Sequence, residues 1–140
     1  MKILLLLILL ALELFSFDSE TASKIFDKIF VSMLKKENIK VYTSNDIYKD
    51  VIKNSSNLKL CIDYTKADII LVNGFNEIPK DSNERLLFAT SYPVFRDKKN
   101  VVGAFYWNRG HIKIEFSLKR LNKYDLTLPA SFSRYIKDDI

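Results

Sequence analysis

From residue 18 onward the spacing of apolar positions changes several times, and each change marks an element. Ala22, Ile25, Phe26, Ile29, Phe30, Met33 and Leu34 return at helical spacing, with Lys24, Asp27, Lys28, Lys35 and Lys36 opposite, and Asp18 or Ser19 can cap the helix they predict. Ile39-Lys40-Val41-Tyr42 reads as a short strand. Ser44 or Asn45 caps a second helix with the narrow stripe Ile47, Tyr48, Val51 and Ile52, and Asn54-Ser55-Ser56-Asn57 ends it. Leu58, Leu60 and Ile62 alternate with Lys59 and Cys61 as in a half-buried strand, whereas Ile69-Ile70-Leu71-Val72 is apolar on both sides, the pattern of a central parallel strand. The link 63–67 has room for a single helical turn and is too short for a full crossover between parallel neighbours.

Residues 73–85 form the longest irregular stretch and a candidate functional loop, with Gly74, Pro79 and Asp81-Ser82-Asn83. Leu86-Leu87-Phe88-Ala89 is the next buried strand, and Ser91-Tyr92-Pro93-Val94-Phe95 starts a short helix with Pro93 in first position, before a turn at Asp97-Lys98-Lys99-Asn100. Residues 101–107 and 112–116 flank Asn108-Arg109-Gly110, which predicts a β-hairpin whose three-residue loop places Gly110 in the left-handed bulge position. Because strand residues alternate faces, His111, Lys113 and Glu115 share one side and Ile112, Ile114 and Phe116 the other; Phe105 and Trp107 likewise lie opposite Tyr106. Leu118 and Leu121 begin an amphipathic helix that stops near Tyr124-Asp125, and Leu128, Phe132, Tyr135 and Ile136 dock a last short helix. This order predicts an α/β three-layer sandwich whose mixed, mostly parallel sheet carries a C-terminal antiparallel hairpin. No repeat or linker divides residues 18–140, which read as a single domain.

Residues 1–17 follow another pattern. Met1-Lys2 precedes the unbroken apolar run 3–12, and Glu13 stops it well short of the roughly 20 residues a spanning helix needs. The expectation is a signal peptide removed after Ser16 or Phe17, and a periplasmic location; with no Cys near the end of the run, a lipid-modified N-terminus is not expected. The segment holds one basic and one acidic residue, Lys2 and Glu13, so the net charge of +5 survives its removal. Outside the cytoplasm that excess points away from nucleic acid and toward anionic headgroups or an acidic protein surface. Lys98, Lys99, Arg109, Lys113, Lys119, Arg120 and Lys123 gather in the same third of the chain and read first as a solvated face, second as a docking surface.

Chemistry is sparse. Three dispersed glycines, Gly74, Gly103 and Gly110, exclude a dinucleotide fingerprint or a phosphate loop, and one His with one Cys cannot make a standard zinc site, so no cofactor or metal is expected. Cys61 has no partner for an internal disulfide and, in a core strand, reads as a buried, inert thiol. His111 reads as an exposed strand residue, Asp46 and Asp50 as helix carboxylates near an N-cap, and Ser91 lacks the flanking glycines of a nucleophile elbow. No catalytic residue is assigned. The aromatic and basic residues of the hairpin carry more: Tyr106, Arg109 and Lys113 are the types that anchor interfaces and form the candidate partner-binding set.

Ala67-Asp68-Ile69-Ile70-Leu71-Val72, Leu87-Phe88-Ala89-Thr90, Val101-Val102-Gly103-Ala104-Phe105-Tyr106-Trp107 and Ile112-Lys113-Ile114-Glu115-Phe116-Ser117, with Leu121 and Leu126-Thr127-Leu128, follow one another in an order that resembles the YfiR/HmsC-like family of small exported bacterial regulatory proteins, over about residues 22–137. In that family a Cys and an acidic residue typically lead into the strand that residues 67–72 would occupy; Cys61 stands several residues early. The resemblance implies a non-enzymatic periplasmic regulator that binds the outward domain of a membrane-bound signalling protein, a diguanylate cyclase, and restrains it. Family members often carry paired cysteines, and with Cys61 alone no internal redox switch is implied here. The rival reading is a single-lobe periplasmic domain that binds a small ligand at the carboxyl ends of its strands, near Asn73, Gly74, Ser91 and Tyr92. A small hydrolase ranks last, and assembly into a homo-oligomer stays open.

Overall fold

A computed structural model describes residues 18–138; the expected signal segment lies outside them. Helix α1 (Ser19–Leu34) starts where Asp18 accepts from the backbone N–H groups of Glu20 and Thr21 at 3.1 and 3.3 Å, and it stops where Lys35 turns left-handed. Asn45 caps α2 (Asp46–Lys53) in the same way. Strands β1 (Ile39–Tyr42), β2 (Leu58–Leu60), β3 (Ile69–Val72), β4 (Leu87–Ala89) and β5 (Val101–Asn108) run parallel; β6 (His111–Ser117) returns antiparallel to β5, and β7 (Ile136–Lys137) lies parallel to β6. Together they form one seven-stranded sheet in the order β2-β1-β3-β4-β5-β6-β7. This is the expected α/β sandwich with its antiparallel hairpin.

Alternation along the strands divides the core between two faces. Ile69 and Leu71 of β3, with Phe88, Val102, Phe105 and Phe116, pack beneath Phe26, Ile29 and Phe30 of α1 and Val51 and Ile52 of α2. Ile70, Val72, Leu87 and Ala104 pack on the other side against Val94 and Phe95 of α3 (Tyr92–Asp97). Phe88 sits among three rings, with centroids 5.2 Å from Phe30, 6.1 Å from Phe26 and 6.1 Å from Phe116. Gly103 permits that crowding: a Cβ there would meet Phe116 Cδ1 at 2.7 Å and both Phe88 Cε2 and the Glu115 carbonyl at 2.9 Å.

Several expectations are corrected. The link 63–67 does hold the single helical turn expected, a 3₁₀ turn at Tyr64–Lys66 packed against β1, and it joins strands that are not neighbours, since β1 lies between β2 and β3. The hairpin loop has two residues, because Asn108 pairs with His111 and leaves Arg109 (φ 51°) and Gly110 (φ 78°) both left-handed, a type I′ turn that suits the twist of the flanking strands. Pro93 is the second residue of α3, and β4 begins at Leu87. The last helix is a 3₁₀ stretch, Ala130–Tyr135, and Ile136 belongs to β7, too short to show a period. Cys61 is not a core thiol: β2 ends at Leu60 because Asp63 turns back to cap the 3₁₀ turn, which leaves Cys61 half-buried and its thiol directed at the Asp63 carbonyl, 3.1 Å away. Arg120 is no part of a solvated face. Its place in α4 (Leu118–Lys123) turns it inward, and it is only 7% exposed.

Candidate functional site

All five parallel strands end at one edge, and the segments leaving them are tied together by polar side chains. Glu77 accepts from the Asn73 backbone N–H at 2.7 Å and from Asn45 Nδ2 at 3.1 Å; Thr90 Oγ1 donates to Asn73 Oδ1 at 2.8 Å, and Ser91 Oγ donates to the Asn73 carbonyl at 2.6 Å. The ends of β1, β3 and β4 are thereby held in register by bonds that use the side chains of Asn73 and Ser91. Gly74 has an ordinary negative φ of −116°, and a Cβ there would crowd only the movable Asn76 side chain.

Beside this network lies an open groove of about 810 Å³ between the start of α3 and the hairpin. Tyr48, Tyr92, Tyr106 and Trp107 supply its aromatic walls, with Ser91, Lys113 and Glu115 among its polar groups. Tyr106 stands directly opposite Lys113 in the β5–β6 ladder, and its hydroxyl donates to Glu115 Oε2 at 2.9 Å. Glu115 Oε1 in turn accepts from Lys137 Nζ at 2.7 Å. Burial first, and then the Glu115 carboxylate, push the Tyr106 phenol up to about 12, so it is a neutral donor near neutral pH. The Tyr92 and Tyr106 ring centroids are 6.3 Å apart, and the Arg96 guanidinium lies 5.7 Å from the Tyr92 ring.

Two candidate sets meet in this groove. Tyr106 and Lys113, chosen as partner contacts, line it with Ser91 and Tyr92, chosen as ligand contacts; Arg109 occupies the adjoining turn, while Asn73 and Gly74 lie outside the lining. Lys113 is exposed and, among the described residues, neither Lys113 nor Arg109 has a carboxylate within ion-pair distance. His111 is exposed in its strand, and Asp46 pairs with Lys49 at 3.3 Å. Among the described residues no cluster of His, Cys, Asp and Glu could hold a metal ion, and no helix is long and apolar enough to cross a membrane.

Strand order shows what sequence alone missed. Ile47, Ile62, Phe75, Tyr92 and Ile112 are 41–95% exposed, and all five sit at the carboxyl ends of the parallel strands or, for Ile112, beside the end of β5. Only Leu118, among the described large apolar residues left this exposed, lies at the opposite edge. The available signal was a large apolar residue just past each of β2, β3 and β4, in otherwise polar links. Comparison of the chain with known protein families, curated proteins and solved structures finds no match.

Proposed function

We propose that the protein is an exported, non-enzymatic binding module that docks a membrane-bound signalling protein on the carboxyl edge of its sheet, as the resemblance to YfiR/HmsC-like regulators implies. The observation that carries this reading is the concentration of exposed apolar side chains on that one edge. A gathered apolar surface in water is disfavoured unless something covers it, and burial returns about 25 cal/mol per Å². Aromatic anchors stand beside Arg109 and Lys113, whose uncompensated charges favour an acidic partner and speed its approach. A binding role is further supported by the Ser91 hydroxyl, which donates to the Asn73 backbone carbonyl, a group that cannot take its proton.

The test pairs capture of partners from solubilised membranes with circular dichroism. Arg109→Glu with Lys113→Glu should leave the fold intact and reduce capture by about tenfold for each 1.4 kcal/mol of interaction lost, with a smaller difference at high salt. A folded double variant that captures its partner as well as the parent would overturn the assignment of this edge.

A small-ligand domain is the second reading, favoured by the groove volume of about 810 Å³, which is the size of a ligand site. Its contacts would be Ser91, Tyr92, Tyr106 and Trp107 rather than Asn73 and Gly74. Partner capture that persists while Tyr92→Ala abolishes binding of a small molecule from a periplasmic extract would favour it.

A further inference from the structure

The basic residues of the last third of the chain separate into two groups at opposite ends of the sheet, and the second group surrounds a cavity of its own. Where α3 ends and α4 begins, a hollow of about 470 Å³ is lined by Lys99, Ser117, Lys119, Arg120 and Lys123, together with Arg96 and Asp97. Asp97, its one acidic wall residue, is already engaged by Arg96, with Nε–Oδ1 at 2.7 Å and Nη2–Oδ2 at 3.2 Å. Among the described ion pairs none involves Lys99, Lys119, Arg120 or Lys123. Four cations therefore share one hollow whose single carboxylate is already paired with a fifth, Arg96.

Arg120 makes this more than a patch of mobile lysines. It is 7% exposed, its guanidinium lies 5.2 Å from the Phe95 ring, and it donates to the carbonyls of Phe95, Val101 and Arg96, the last two at 2.8 and 3.2 Å. Three bonds do not use all five donors of a guanidinium, and neutral carbonyls do not neutralise its charge. Burial pulls its pKa down, and no acidic neighbour offsets that cost. A planar fork fixed in the wall of a hollow, with three flexible ammonium arms around it, matches an oxyanion that carries more than one charge and several acceptor oxygens.

We infer that this cavity at the amino edge of the sheet binds a phosphate group, carried either by a soluble phosphorylated molecule or by an anionic phospholipid. A single carboxylate would balance too little of the charge gathered there, and the hollow has the volume of a small-ligand site. The site is separate from the carboxyl edge and does not depend on what docks there.

The test uses inorganic pyrophosphate, titrated at constant ionic strength into the protein as the cell leaves it and followed by calorimetry and by amide chemical shifts. Saturable binding is expected, with the largest shifts at Ser117, Lys119 and Arg120. Lys119→Glu with Lys123→Glu should weaken it by about tenfold or more. The control, Lys28→Glu with Lys59→Glu, makes the same change in net charge on surfaces away from the cavity and should bind like the parent. Should the glutamate pair fail to fold, Lys119→Gln with Lys123→Gln serves in its place. Sedimentation with phosphatidylcholine vesicles, with and without phosphatidylglycerol, identifies the source. Retention that needs phosphatidylglycerol and is lost in the cavity variant assigns a lipid headgroup, and pyrophosphate binding without retention assigns a soluble ligand. Absence of saturable pyrophosphate binding, or equal loss in the cavity variant and the control, overturns the site.

Discussion

The two ends of the sheet are made by the same strands yet treat polar and apolar groups in opposite ways. At the carboxyl end the polar side chains satisfy one another, through Glu77, Asn73, Thr90 and Ser91, and large apolar residues are left in solvent. At the amino end nearly all such residues are covered and the cations are left over. Chain direction explains part of the contrast. Helices that return to the amino end arrive with unsatisfied carbonyls, and Arg120 meets those of Phe95 and Arg96 at the end of α3; helices that leave the carboxyl end present amides, which the oxygen of Asn45 accepts at α2. The basic excess of the sequence is thus divided: one part is structural, one lines a cavity and one stands beside an apolar edge.

The largest expected effect comes from removing the charge that organises the amino end. Arg120→Met keeps much of the side-chain volume but leaves three carbonyls without their donor, and should cost about 2–4 kcal/mol in urea denaturation. Partner capture by the molecules that remain folded should be unchanged. A loss below about 0.5 kcal/mol, the scale of an ordinary surface change, would return Arg120 to the solvated face expected from sequence.

An intermediate effect is expected at the groove. Tyr106 should be the tyrosine whose phenol titrates near 12, visible by ultraviolet absorbance, against about 10 for an unperturbed one. Since folding raises this pKa, the stability it confers is complete below about pH 10 and is lost as pH rises through 12. Glu115→Gln removes the negative charge and should move the titration down. A Tyr106 that titrates normally in the parent protein would mean that the Tyr106–Glu115 pair does not hold in solution, and the groove would lose its floor.

The smallest effect concerns Cys61, next to the fully solvated Ile62. Alkylation of the native protein should proceed readily, more slowly than after denaturation but without requiring unfolding, and circular dichroism should hardly change. A bulky maleimide there should reduce partner capture while leaving pyrophosphate binding intact. A thiol that reacts only after denaturation would place Cys61 back in the core.

Long or strongly patterned elements were legible from sequence. The sixteen-residue α1, the doubly apolar β3 and the alternating hairpin follow from local spacing, which needs no knowledge of neighbours. The misplaced residues are those whose surroundings are decided by distant partners. Arg120 goes inside because carbonyls nineteen to twenty-five positions away need donors, and Cys61 comes partly outside because β2 is an edge strand that ends early. The two-residue β7 carries no period to read. Tyr106 and Lys113 were found from alternation, but their meeting with Ser91 and Tyr92 depends on β4 lying beside β5.

The ends of the strand order have a consequence for crowded solutions. Both outer strands are short, three residues in β2 and two in β7. The two sides are nonetheless unequal: beyond β2 an incoming strand would gain only a couple of backbone hydrogen bonds, whereas β7 covers just Phe116 and Ser117 of β6 and leaves the outer edge of residues 111–115 without a neighbouring strand. The hairpin side is therefore the edge at which another chain can add backbone hydrogen bonds, and the side chains of β6 decide which chain does so.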